Sequence, residues 1–190
     1  MAFQFKIQLT NIAKPPVWRR VLVPEKMTFH DLHRVIQTVF PWEDYHLYLF
    51  NPKGYGSHPS ISVPSDDDLD ELDMDAEETL LTQIFMAENQ KFTYIYDFGD
   101  DWVHSIILEK ILPEKVLFPI CQEGKGACPP EDCGGAWGYE NLKKILLDPG
   151  HEEYADTRAW VGLEDHEKWD AARFDVEAAN KALQEAFANR

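Results

Sequence analysis

The sequence predicts an α+β domain, a mixed, mainly antiparallel sheet with helices packed on one side and further helices toward the C-terminus. Three observations point there: strict period-two alternation at the start, two β-rich segments flanking Asp-Phe-Gly-Asp, and apolar arcs of helical period behind good caps. At 190 residues with 44% hydrophobic and 13% aromatic composition, residues 1–190 read as a single domain with ample apolar surface to offset chain entropy.

Phe3, Phe5, Ile7 and Leu9 alternate with Gln4, Lys6, Gln8 and Thr10, which places one apolar face on a strand. Pro15 and Pro16 interrupt the ladder, and residues 17–23 resume a β-rich run, so the two pair as an antiparallel ribbon. Thr28 and Asp31 have capping-box spacing, and Phe29, Leu32, Val35, Ile36, Val39 and Phe40 share one arc of a helix that Pro41 stops. Residues 45–50 read as a strand, with a short one near 60–63 and a short helix over 79–86. Residues 92–98 and 102–109 form the best-specified hairpin, with Gly99-Asp100 as a two-residue turn. Helices follow over 138–148, 151–160 and 176–188, the last behind Asp175.

Two loops stand out. Nine acids and no base fall in the block 65–78, which repels itself and reads as a solvated loop. Asp66, Asp68, Asp70 and Glu77 also have the carboxylate spacing of a calcium loop, although Glu71 stands where such a loop turns on glycine. Residues 113–135 are rich in proline and glycine, hold all three cysteines, and read as a long ordered loop.

A formal charge of -16 opposes binding to phosphate backbones, which excludes a dedicated duplex nucleic-acid binder. No apolar run approaches the ~20 residues of a membrane span. The N-terminus lacks the pattern of a secretory signal and the cysteines are odd in number, so a cytoplasmic protein is expected.

The densest polar constellation is Tyr94-Ile-Tyr-Asp97-Phe-Gly-Asp-Asp-Trp102-Val-His104. With a two-residue turn, Asp97 faces Trp102 and Ile95 faces His104, so that a carboxylate, an indole and an imidazole share one face. Asp97, Asp100, His104 and Glu131 are therefore the catalytic candidates, and the same segment also reads as a turn with a hydrogen-bonded strand histidine. Cys121, Cys128 and Cys133, with His104 or Asp132 as a fourth ligand, are a candidate set for zinc or another divalent metal. They also read as buried thiols before a Gly-Gly turn, or as a source of a nucleophile beside His104. Trp18 and Arg19 form a candidate clamp for an anionic or aromatic ligand, against the plainer reading of a core indole and a solvated arginine. His30 and His33 sit three apart on the first helix and read as packing residues.

Pro15-Pro-Val-Trp-Arg-Arg20, Trp42-x2-Tyr-His46-Leu, the Tyr94 to His104 segment, Ala127-Cys-Pro-Pro-Glu-Asp-Cys-Gly-Gly135 with Gly138-Tyr139, and Phe174-Asp175 with Asn180 occur in this order. Together they resemble the plasmid pRiA4b ORF-3-like family over nearly the whole chain. The resemblance implies a roll-like arrangement of the α+β domain and marks Trp18, Arg19, His46, Asp97, Gly99, Asp100, Trp102, His104 and residues 128–135 as motif positions. It assigns them no role. The expectation is a binding or regulatory module acting on a protein or small-molecule partner. Its pocket would be lined by the hairpin and the Cys loop, with Trp18, Arg19, Asp97, Trp102, His104, Glu131 and Asp132 as ligand-binding candidates. The alternative is a metal-dependent hydrolase, acting on phosphoesters, that uses Asp97, Asp100 and His104.

Overall fold

The computed structural model describes residues 1–64, 73–164 and 166–188. β1 (Ala2–Ala13) and β2 (Pro16–Pro24) form the expected antiparallel ribbon, and α1 (Phe29–Val39) starts at a complete capping box between Thr28 and Asp31. β3 (Tyr48–Asn51), β4 (Ile61–Ser62) and β5 (Met74–Asp75) follow, then a single helical turn, α2 (Leu81–Ile84). β6 (Lys91–Tyr96) and β7 (Trp102–Leu112) form the hairpin, and β8 (Ile120–Lys125) precedes α3 (Gly135–Leu147), α4 (Tyr154–Trp160) and α5 (Val176–Phe187).

The eight strands make one sheet in the order β5-β4-β3-β6-β7-β1-β2-β8, antiparallel except for the β4–β5 pair. Directly paired residues share a face, and one face can be traced from Cys121 through Val21, Phe5, Leu108 and their neighbours Ile106 and His104 to Tyr94, Phe50 and Ile61. These side chains are buried, and α1 meets them through Phe29, whose ring lies 5.1 Å from that of Phe50 and 5.7 Å from that of Phe92. The α5 helix packs against α1 and covers the β8 edge. There Asn180 closes a pair of 2.8 Å hydrogen bonds with the Cys121 backbone. An edge strand covered in this way cannot recruit another chain.

Several expectations are corrected. The strand expected over 45–50 begins only at Tyr48, because Asp44 adopts a left-handed conformation and donates its N–H to the Gln37 side chain, while Tyr45 donates to the Tyr96 hydroxyl. The loop expected over 113–135 contains β8, whose Gln122 and Glu123 are exposed and so hide its pairing with β2. The hairpin turn is not two residues long: Tyr96 pairs with Trp102, Ile95 with Val103 and Tyr94 with His104, leaving the five-residue loop 97–101. Asp97 and Asp101 in that loop both take positive φ, which aspartate tolerates better than most residues. Of the calcium-loop reading, Asp66, Asp68 and Asp70 lie outside the described residues, and Glu77 donates its N–H to Asp75. Among the described residues, no helix is long and apolar enough to cross a membrane.

Candidate functional site

Three loops at one end of the sheet converge on His46. The first is the connection from α1 to β3, which carries His46 itself. The second is the hairpin loop, where Asp97 donates its N–H to the Leu47 carbonyl at 3.0 Å and accepts at Oδ1 from Gly99 at 2.9 Å. The third is the segment between β8 and α3, which carries Glu131 and Asp132.

Hydrogen bonds fasten these loops to one another. Trp42 Nε1 donates to the Pro129 carbonyl at 2.9 Å, and Glu131 Oε1 accepts from the Glu43 N–H at 2.9 Å and from the Tyr96 hydroxyl at 3.0 Å. Asp100 Oδ2 accepts from the Gly134 N–H at 3.1 Å. A Cβ on Gly135 would stand 2.5 Å from the Asp100 carbonyl oxygen, and one on Gly138 only 1.8 Å from that of Cys133. Glycine at 135 lets the two loop backbones touch, and glycine at 138 lets the start of α3 close on Cys133, which a side chain at either position would push apart.

At the centre, His46 Nε2 lies 3.2 Å from Asp132 Oδ1, 3.7 Å from Asp97 Oδ2 and 4.0 Å from Glu131 Oε2. Yet His46 Nε2 and Glu131 Oε2 are both buried atoms without a hydrogen-bond partner. Buried polar atoms are normally paired, so two orphans facing each other call for a third party. Two ligands of a tetrahedral ion with ~2.1 Å bonds stand about 3.4 Å apart, a value that falls within the observed 3.2–4.0 Å range. His46, Asp97 and Asp132 are the one group of three or more ligand-type side chains that converges among the described residues. One imidazole with three carboxylates is a hard-to-borderline donor set, suited to divalent ions such as Mn²⁺ or Zn²⁺.

The structure sorts the expected residues sharply. It brings Asp97, Glu131 and Asp132 together. His104 is elsewhere: its Nδ1 donates to the Trp102 carbonyl at 2.9 Å, inside a cage of Phe40, Trp42 and Tyr94, and burial pushes the imidazole down to about 3. Its place among these rings keeps it apart from the carboxylates around His46, and its Nε2 has no hydrogen-bond partner there. The Trp102 ring lies 5.9 Å from that of Trp42, tilted by 32°, in the same core. The carboxylate of Asp100 is engaged with Gly134 and serves as a loop tie.

The cysteine set does not converge either. Burial pushes Cys121 up to about 11, Cys133 up to about 12 and Cys128 further still, the reverse of what a nucleophilic thiolate needs. Trp18 and Arg19, as neighbours on a strand, point to opposite faces and form no clamp. Arg19 is buried on the inner face, while Lys6 and Arg20 lie over the Trp18 ring. His46 went unrecognised as a ligand from the residues themselves, since the strand reading made it an ordinary alternating position.

The family model for the plasmid pRiA4b ORF-3-like protein matches residues 1–178. The chain belongs to the plasmid pRiA4b ORF-3-like family. Within reach of this ORF-3-like chain is an uncharacterised protein, y4hQ, of Sinorhizobium fredii (strain NBRC 101917 / NGR234), 36% identical over 187 residues that cover 97% of this chain and 92% of the relative. The crystal structure of a protein of unknown function, MM3350 from Methanosarcina mazei Go1, superposes with a TM-score of 0.78 at 42% identity, covering 93% of this chain and 96% of that one.

Proposed function

We propose that this ORF-3-like protein is a divalent-cation-binding module. The hairpin loop and the Cys128–Gly135 loop hold the ion through His46, Asp97, Asp132 and Glu131 and present it to a small-molecule or protein partner. The observation that carries this reading is the pair of buried, unpartnered atoms, His46 Nε2 and Glu131 Oε2, flanked by two further carboxylates. A strongly acidic chain favours accumulation of cations at such a site. Three unpaired thiols suit a reducing, cytoplasmic setting.

Metal-dependent hydrolysis is the second reading, and a separate feature supports it. The Asp132 side chain is 72% exposed and that of His46 30% exposed, so one side of the centre is open for a bound water to act as nucleophile on a phosphoester. In this version His46 takes the place first expected of His104.

The test is calorimetric titration of chelator-treated protein with Mn²⁺ and Zn²⁺, beside His46→Ala and Asp97→Ala. One equivalent bound by the parent and lost in both variants is the expected result. Equal binding by all three proteins, or none by the parent, overturns the reading. Turnover of bis(p-nitrophenyl) phosphate by the loaded parent, abolished by His46→Ala, separates the hydrolase from the binding module.

A further inference from the structure

A second site lies away from the three loops. A cavity of about 340 Å³ opens between the end of α1, the segment leading into α5, and α5 itself, at the lower end of the size that takes small organic ligands. Its floor holds Arg19, which is 1% exposed. The guanidinium carbon lies 3.9 Å from the centre of the Phe174 ring and 4.9 Å from that of Phe40. Nε donates to the Val39 carbonyl at 2.9 Å, and Nη1 to the carbonyls of Trp18 at 2.9 Å and Lys125 at 3.0 Å.

What Arg19 lacks is an anion. Among the described residues it makes no ion pair, and Nη2 makes no hydrogen bond. Buried arginines are ordinarily paired with a carboxylate, because the desolvation of an isolated charge is costly. The other charges around the cavity offer no such partner. Lys168 and Arg173 are matched in number by Asp170 and Asp175. Asp170 accepts from the Ala172 N–H, and Asp175 caps α5 by accepting from Glu177 and Ala178. Trp169 Nε1 is a second donor without a partner in the same wall. Apart from Thr38, whose hydroxyl donates to the Arg34 carbonyl, the rest of the lining is largely apolar, with Ala178, Ala179 and Ala182 presenting small side chains that leave the space unfilled.

We propose that this cavity binds a small amphipathic carboxylate, whose anionic group pairs with Arg19 and whose apolar body lies against Phe174 and the alanine face of α5. Guanidinium chemistry sets the headgroup. The volume and the lining set the body, an aromatic ring system or a short aliphatic chain.

Isothermal titration of chelator-treated protein with 2-naphthoate and with its neutral isostere 2-naphthamide tests the proposal independently of the metal centre. The acid is expected to bind at least tenfold more tightly than the amide. Ala182→Phe, which fills the cavity while leaving Arg19 in place, is expected to weaken naphthoate at least tenfold with an unchanged melting temperature. Arg19→Met is expected to erase the preference for acid over amide. Equal binding of acid and amide by the parent overturns the anion site, and so does no binding at all or binding that Ala182→Phe leaves intact. Should Arg19→Met fail to fold, the acid–amide comparison and the cavity-filling variant still decide the matter.

Discussion

His33 and His46 are thirteen positions apart, and each imidazole has a carboxylate and a tyrosine nearby, but their surroundings differ in one respect. His33 is fully buried on α1, and both of its ring nitrogens are engaged: Nδ1 with the Tyr94 hydroxyl at 2.8 Å and Nε2 with Asp44 Oδ1 at 2.7 Å. Tyr48 stacks on it at 3.7 Å, and Gln37 completes the network by donating to Tyr94 and accepting from the Asp44 N–H. His46 faces three carboxylates and makes no hydrogen bond through Nε2. The comparison teaches that residue type and proximity do not mark a site. A closed hydrogen-bond network holds the fold together, whereas an open one that faces partly exposed carboxylates leaves room for a ligand, unlike the unpartnered Nε2 of His104, whose ring is enclosed by aromatic side chains.

The sharpest way to break this comparison is to exchange the outcomes of two substitutions. His33→Leu removes a partner from both Tyr94 and Asp44 and should cost about 2–4 kcal/mol of unfolding free energy. It should leave Mn²⁺ binding unchanged. His46→Ala should cost less than about 1 kcal/mol in the same urea titration, because no hydrogen bond through Nε2 is lost. Its cation affinity should fall at least ~100-fold. Equal losses of stability in the two variants would remove the distinction. Glu131→Gln comes next. It keeps the contacts that Oε1 makes with Glu43 and Tyr96 but replaces the charge, and a fall in affinity of about tenfold is expected by calorimetry.

His104 sharpens the comparison through pH. Its folded value of about 3 lies below the ordinary 6.5, so between those limits the unfolded chain binds a proton that the native chain refuses. Stability therefore declines as pH falls from about 6.5 toward 3, by up to about 1.4 kcal/mol per unit from this residue. Urea midpoints at pH 7 and pH 5 should draw together in His104→Phe. The smallest expected effect is on the thiols. With all three pushed upward by burial, the native protein at pH 8 should react with a disulfide reagent more slowly than the unfolded chain.

Much of the scaffold was legible because its physics is local. The alternation from Phe3 to Leu9 and the capping box at Thr28 each specify an element within a few residues. The site was legible only in pieces, since His46, Asp97 and Asp132 come from three loops and meet through tertiary packing alone. A shift of one residue misled most: the loop 97–101, closed by aspartates at positive φ, moved His104 into the core and freed Asp97 from the strand face. The burial of Arg19 was hidden for a related reason. Its charge suggested solvent, while its register opposite Ile7 placed it on the inner face. β8 was hidden by exposed polar residues, which an edge strand tolerates as readily as a loop does.

The central place of β1 has a consequence in time. Its partner on one side, β2, follows at once, but its partner on the other side is β7, whose last residue is Leu112. On the ribosome the first hairpin must wait for more than half the chain to emerge before its second edge is covered, and such long-range pairings form slowly. The loop bearing Glu131 and Asp132 follows β7 in the chain and reaches His46 only after that. The nascent protein is therefore exposed to edge-to-edge association early in its synthesis, and the carboxylates proposed to hold a cation with His46 are not all present until residue 132 has emerged.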